Sequence, residues 1–167
     1  ILMMMMLFCS SRGQDRPSVV SDVDLKRYEG TWYEIARLPF RFETKLKCIT
    51  ATYTLRKDGR ISVLNSGHLK SDPGTVSKAR GVAIIPDNKV PAKLKVQFFW
   101  PFKGNYWIME LDSKYKYVMI GEPSFKYLWI LAREKELDRE VLESLKKKAV
   151  EEGYDLSELI MTEHDCS

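Results

Sequence analysis

From residue 22 onward, the chain is divided into short segments in which apolar and polar residues alternate, most of them ending in a turn signal. Alternation with a period of two is typical of half-buried strands. Asp58-Gly59, between the second and third segments, indicates a hairpin because glycine adopts the positive φ that a tight turn requires. The segments are residues 31–38, 48–55, 60–67, 78–85, 93–100, 105–111, 115–121 and 127–133. Eight strands with short connections predict an all-β fold, an eight-stranded antiparallel up-and-down barrel without exposed edges.

The last part of the chain has a different period. Apolar residues recur every fourth position and form one stripe, made by Leu137, Val141, Leu145 and Ala149. Asp138 is suited to cap the start of a helix, and Gly153 is suited to end it in a left-handed conformation. The pattern therefore predicts one helix over about 138–152, which lays its stripe on the outer wall of the barrel. We expect one domain over residues 22–167, with the barrel at about 30–133, then the helix and a short tail.

The charge pattern argues against nucleic acid as a partner. The 167 residues contain 27 Lys and Arg against 23 Asp and Glu, so the net charge of +4 is small. The densest basic run, residues 146–148, lies on the predicted helix between Glu143 and Glu151, which is typical of a solvated helix face. Nucleic-acid binders instead concentrate basic residues in a stripe or patch. The sequence gives no indication of the oligomeric state.

Residues 1–21 are interpreted as the remnant of an export segment followed by a polar tether. The apolar residues 2–8 are too short to span a bilayer and end at Cys9, which Ser10 and Ser11 follow. This order resembles a bacterial lipoprotein signal, although Phe8 is larger than the residue that normally precedes such a cysteine. Two interpretations stay open: lipidation of Cys9, which would tether the protein to a membrane, or a signal peptide that is removed before Ser21. Both predict export, to the outer membrane as a lipoprotein if the source is bacterial and by secretion otherwise.

Nothing in the sequence predicts a catalytic centre, a metal site or a cofactor. His68 and His164 are the two histidines, and neither belongs to a Ser-His-Asp pattern or to a cluster with metal-ligand spacing. Glu34 and Glu110 are candidates to face the interior of the barrel. Buried carboxylates can act in catalysis, but for these two we expect hydrogen-bonded structural roles.

Three sequence blocks carry a family resemblance. Gly30-Thr31-Trp32 follows a short polar turn at residues 24–28, the pair Leu111-Asp112 precedes two tyrosines, and the segment Leu128-Trp129-Ile130-Leu131-Ala132-Arg133 ends the last strand. In this order and spacing the blocks resemble those of the lipocalin family, over essentially residue 23 to the C-terminus. The residues in these blocks are of the type found in bacterial outer-membrane lipocalins and in apolipoprotein D.

The resemblance implies structural roles for five residues. Gly30 and Trp32 would close one end of the barrel, and Arg133 would lie over the Trp32 indole in a cation–π contact while it caps nearby carbonyl groups. Many lipocalins tie the second strand to the C-terminal tail, which implies a disulfide between Cys48 and Cys166. Such a bond requires an oxidising compartment. The enzymatic lipocalins of the prostaglandin D synthase type use a cysteine in the cavity, and here the barrel cysteine is assigned to the disulfide.

The resemblance also implies a ligand cavity inside the barrel. The residues that we expect to contact a ligand are Ala36, Ala51, Asn65, Val96, Phe98, Tyr106, Ile108, Tyr127 and Trp129. Basic residues expected at the open mouth are Arg41, Lys45, Lys47, Lys70 and Lys103, which suit an anionic headgroup or a membrane surface. The expected ligand is a fatty acid or a lysophospholipid that the protein carries or stores. Alternatives are a sterol, a retinoid or a tetrapyrrole, or a protein-binding module anchored through Phe99 and Phe102.

Overall fold

A computed structural model describes residues 16–99 and 101–166 of the chain, and for Phe102 it describes the backbone alone. The predicted Cys9 lipidation site lies outside the described residues. A short helix α1 (Leu25–Tyr28) precedes the strands β1 (Gly30–Arg37), β2 (Leu46–Leu55), β3 (Ile61–Leu69), β4 (Val76–Ile84), β5 (Lys93–Phe99), β6 (Phe102–Leu111), β7 (Tyr117–Gly121) and β8 (Leu128–Ala132). Helix α2 (Arg139–Glu152) and a two-residue strand β9 (Ile160–Met161) follow.

The strands β1 to β8 form a closed antiparallel barrel. Each strand pairs with the next in sequence, and β1 pairs with both β2 and β8, so that the sheet closes on itself. The predicted eight-stranded up-and-down barrel is therefore confirmed. Strand β9 is not predicted by the sequence, and it adds a further antiparallel pairing to β1 through Ala36–Met161 and Arg37–Ile160.

Helix α2 begins and ends where the sequence predicts. The Asp138 side chain accepts hydrogen bonds from the backbone N–H groups of Glu140 and Val141, and Gly153 ends the helix with φ of 119°. The apolar stripe of α2 packs on the outside of the barrel, where Leu145 and Ala149 are buried against Ile35 and Met119, among other residues. The interior of the barrel holds a second apolar core around Trp32, Ile108 and Val118, so the sheet is apolar on both faces here.

One end of the barrel is closed. Helix α1 covers this end, and Trp32 lies beneath it, fully buried, with its indole N–H donating to the Tyr28 carbonyl at 2.9 Å. Arg133 lies over the Trp32 ring at 3.8 Å from the centroid and donates to the carbonyl oxygens of Thr31, Arg27, Tyr28 and Glu29. The guanidinium thus ties the end of the last strand to the segment that closes the barrel.

The disulfide between Cys48 and Cys166 is present, as the resemblance implied. The tail that it holds makes other contacts with the barrel. The Thr162 N–H donates to the Ile35 carbonyl at 2.9 Å, and the Lys47 ammonium pairs with Asp165 at 2.9 Å. Asp165 lies beside both cysteines, but a disulfide offers no thiolate for a metal.

Two β-bulges change which residues face inward. The register of β1 against β8 shifts between Glu34 and Ala36, so Ile35 and Ala36 both join the outer core under α2. The expectation that Ala36 faces the interior is therefore wrong. A second shift, between Ile108 and Glu110, turns Glu110 outward to an ion pair with Lys148 of α2, so its expected inward orientation is also wrong.

Candidate functional site

The barrel contains a cavity of about 600 Å³ that opens at the end opposite α1. Its apolar lining includes Ile49 of β2, Val63 of β3, and Val96 and Phe98 of β5. Alternation of side chains along each strand places these residues on the inner face. The described connections around the open end are residues 38–45, 70–75 and 122–127, and residue 101 directly before β6.

Tyr53 and Tyr106 form the floor of the cavity, and Tyr28 is hydrogen-bonded beneath them. The Tyr106 hydroxyl lies 2.7 Å from the Tyr28 hydroxyl and 2.9 Å from the Tyr53 hydroxyl, and Tyr28 packs on the Trp32 ring at 5.0 Å between centroids. Burial raises the pKa of Tyr28, Tyr53 and Tyr106 above the usual range, so all three phenols stay protonated at physiological pH. A hydrogen-bonded, uncharged floor of this kind suits the end of an apolar chain.

Aromatic side chains line one wall near the open end. The Phe40 ring meets the edges of Tyr127 and Trp129, with 5.4 Å between centroids in both pairs. Tyr127 and Trp129 stack on each other at 6.0 Å. Phe40 belongs to the loop between β1 and β2, so this contact holds the loop against the barrel wall.

A buried cluster of charged residues lies beside this aromatic wall. The Arg37 guanidinium, which is 2% exposed, donates to the Glu34 carboxylate at 2.8 Å and lies 3.5 Å from the Glu43 carboxylate. The Trp129 indole N–H donates to Glu43 at 3.2 Å. Burial, and then the charge of Glu34, raise the pKa of Glu43 to about 8. Two carboxylates thus share one guanidinium, and Glu43 takes up a proton at neutral pH.

The side-chain amide of Asn65 offers a polar contact within the lining. Among the described residues its Oδ1 atom is buried without a hydrogen-bond partner. A buried acceptor that lacks a partner is costly, so this oxygen is available to a donor on a bound molecule.

Seven of the nine predicted contact residues line the cavity: Ala51, Asn65, Val96, Phe98, Tyr106, Tyr127 and Trp129. Ala36 lies on the outer face, and Ile108 is fully buried in the core below the floor. Whether the seven contact a ligand stays a prediction. The carboxylates of Glu34 and Glu122 also line the cavity. Burial favours a raised pKa for Glu122, but hydrogen bonds from Ser124 and from backbone N–H groups outweigh it and lower the pKa of this carboxyl.

The predicted mouth residues fall into two groups. Arg41, Lys45, Lys70 and Lys103 are exposed at the open end, and Lys103 is the cation that borders the cavity. Lys47 instead lies on the outer wall, largely buried in its ion pair with Asp165, so its placement at the mouth is wrong. The reason is that β2 begins at Leu46 and a register shift follows Lys47.

Two residues of the buried charged cluster beside the cavity were not predicted from the sequence. Arg37 follows the bulge in β1, which turns its side chain inward although strict alternation from Trp32 would turn it outward. Glu43 lies in a loop, where a charged residue is normally exposed. No signal in the sequence distinguishes it from the exposed charges beside it, Arg41 and Lys45.

Comparison with known proteins gives a consistent result. The family model described as "Lipocalin-like domain" matches residues 23–164. Outer membrane lipoprotein Blc of Escherichia coli K12 is 41% identical over 160 residues, covering 95% of this chain and 90% of that protein. Apolipoprotein D of Macaca fascicularis is 35% identical, covering 95% and 90%. Insecticyanin of Manduca sexta has a similar solved structure, with a TM-score of 0.68 and 29% identity, covering 88% of this chain and 85% of that one.

Proposed function

Because the chain belongs to the lipocalin family, whose members bind small hydrophobic ligands inside the barrel, we propose that it carries or stores a fatty acid or a lysophospholipid. The observation that supports this most directly is the cavity of about 600 Å³, whose lining is mainly apolar and whose mouth bears cations. Burial of an acyl chain contributes about 0.8 kcal/mol per methylene group, which is sufficient for tight binding by a single chain.

The charges around the cavity support one orientation of the lipid. The carboxylates of Glu34 and Glu122 border the interior, and Glu43 beside Glu34 holds a proton at neutral pH, whereas Lys103 lies at the open end. An anionic headgroup beside these carboxylates would be repelled, and beside the exposed cations of the rim it would be attracted. We therefore place the acyl chain toward the tyrosine floor and the headgroup at the rim.

The proposal extends to the site of action. Two observations support export to an oxidising compartment. Some relatives are named outer membrane lipoproteins, and a disulfide joins Cys48 to Cys166. A membrane tether through Cys9 belongs to the same proposal.

Native mass spectrometry of the purified protein, followed by extraction and identification of lipids, tests the ligand class. We expect a co-purifying fatty acid or lysophospholipid, which Phe98→Glu removes because it places a charge against the acyl chain. Val150→Glu is the matched control, since Val150 is exposed on the outside of α2. A protein that is empty and also refuses added fatty acids and lysolipids would overturn the proposal.

Headgroup selection requires a separate comparison. Fatty acids should bind more tightly than fatty alcohols of the same length, and Lys103→Glu should reduce that difference, because Lys103 is the cation at the cavity edge. Retinoids or neutral sterols that bind as tightly as fatty acids would contradict the choice of an anionic lipid.

A further inference from the structure

Exposed apolar side chains are concentrated at the open end of the barrel. Phe42 is 61% exposed in the loop between β1 and β2, Phe99 is 69% exposed at the end of β5, and Val76 is 42% exposed at the start of β4. These three positions are far apart in the chain, but up-and-down topology brings them to the same rim. Two other large apolar residues are similarly exposed among those described, Val150 and Met161, and both lie on the outer wall.

Cations alternate with these apolar residues around the rim. The exposed basic side chains at this end are Arg41, Lys45, Lys70 and Lys126 in the loops and Lys103 at the start of β6. Within the described part of the same loops Asp72 is the exposed acid, because Glu43 and Glu122 are turned inward and buried. The outer surface of the rim is therefore basic, while the acids of these loops face the cavity.

This combination favours a bilayer over a protein as the partner. Protein interfaces are depleted in lysine, whereas four of the five rim cations are lysines. Aromatic side chains partition to the boundary between lipid and water, and adjacent basic residues are attracted to anionic headgroups. The charge of the rim thus complements the phosphates of an anionic leaflet.

We propose that the open rim of the barrel docks on an anionic bilayer, with Phe42 and Phe99 inserted at the headgroup level and the rim lysines on lipid phosphates. This docking surface goes beyond the proposed function. Its purpose, the transfer of a lipid between membrane and cavity, rests on that proposed function. With the rim on the bilayer, the cavity mouth faces the lipid, so that an acyl chain passes between membrane and barrel without crossing water.

The path of the chain before β1 is consistent with this orientation. The backbone N–H of Ser18 donates to the Glu152 carboxylate at 3.0 Å, in the last turn of α2. That turn lies at the open end, because Tyr154 just beyond it packs on Phe125 at 5.1 Å, in the loop between β7 and β8. The first described residues, Arg16 to Ser18, therefore lie beside the open end, on the same side of the molecule as the rim.

Vesicle co-sedimentation of the purified full chain tests the proposal, with pure phosphatidylcholine vesicles and with vesicles containing 30% phosphatidylglycerol. We expect binding to the anionic vesicles that falls at least tenfold in the double variant Phe42→Ser/Phe99→Ser and weakens steeply with added salt. The control is Val150→Ser/Met161→Ser, which removes two apolar side chains exposed to a similar extent on the outer wall and should bind like wild type. The double variant Lys45→Glu/Lys70→Glu should lose the preference for anionic vesicles.

Three results of the vesicle assay would overturn the proposal. They are no binding to either vesicle, equal binding to both, or an equal loss in the rim variant and in the control. Rim substitutions that abolish self-association without affecting vesicle binding would assign the surface to a protein partner instead. Wild-type binding of fatty acid in vesicle-free solution reports on the proposed function alone, so either idea can fail while the other stands.

Discussion

Removal of the disulfide provides a quantitative test of how the fold is held. In the double variant Cys48→Ser/Cys166→Ser, the unfolded chain regains conformational entropy. The disulfide had removed that entropy by joining two residues that are 118 positions apart in the sequence. The chain-entropy model gives about 4.9 kcal/mol for a loop of this length at 25 °C. The calculation assumes that the native tail stays in place without the bond.

Other contacts of the tail justify that assumption. Strand β9 pairs with β1, the Thr162 N–H donates to the Ile35 carbonyl, and the His164 ring hydrogen-bonds the Glu34 carbonyl at 2.7 Å. Since these contacts do not depend on the cross-link, the variant should keep the native structure, and the loss should come from the unfolded state.

Guanidinium chloride unfolding of wild type and variant measures the difference. We expect a loss of about 4–5 kcal/mol in the free energy of unfolding and a Tm lower by roughly 10–20 °C, since 1 kcal/mol corresponds to about 2–4 °C for a chain of this size. Wild type with and without reductant provides the second comparison. A variant within about 1 kcal/mol of wild type, with an unchanged barrel, would refute the loop-closure reasoning.

Three further predictions concern single side chains. The raised pKa of Glu43 means that the free energy of unfolding falls as pH rises from 4.5 to about 8, and Glu43→Gln should flatten this fall in pH-dependent denaturation. Arg133→Met leaves carbonyl groups without their donor and removes the contact with Trp32, so chemical denaturation should show a loss of about 2–4 kcal/mol. Gly121→Ala places a methyl group against the Tyr154 hydroxyl, and the melting temperature should fall by the equivalent of about 1–3 kcal/mol. The control is the exposed Gly74→Ala, where the added methyl group makes only an ordinary contact and the melting temperature should stay close to that of wild type.

The strand order could be predicted from sequence because each strand carries its own signal. Alternation, β-branched residues and a terminal turn such as Asp58-Gly59 are local, and short connections force neighbours in sequence to pair. The same holds for α2, whose cap at Asp138 and end at Gly153 are single-residue signals. Strand β9 has no such signal, because two residues cannot show a period, and only the tail contacts to β1 define it.

The residues that face the barrel interior could be predicted from the sequence only where the alternation along a strand is uninterrupted. In β2, the inward positions Ile49, Ala51 and Tyr53 follow from alternation, and all three line the cavity. In β1 one extra residue reverses the pattern after Glu34, which turns Ala36 outward. A bulge is a property of the pairing between two strands, so neither strand shows it in its own sequence.

The bulge in β1 also determines how the rim is built. By turning Arg37 inward, it places a guanidinium where Glu43 can reach it, and the Arg37 Nη2 group donates to the Glu43 carbonyl at 3.1 Å. This contact holds the loop at Glu43, and the neighbouring Phe42 packs on Phe40 at 5.3 Å between ring centroids while 61% of its surface stays exposed. Because Glu43 is held inward, its acidic side chain is absent from the rim surface, whereas the basic side chains of the rim are exposed. A buried ion cluster that destabilises the protein at high pH therefore also gives the open end its basic and aromatic surface.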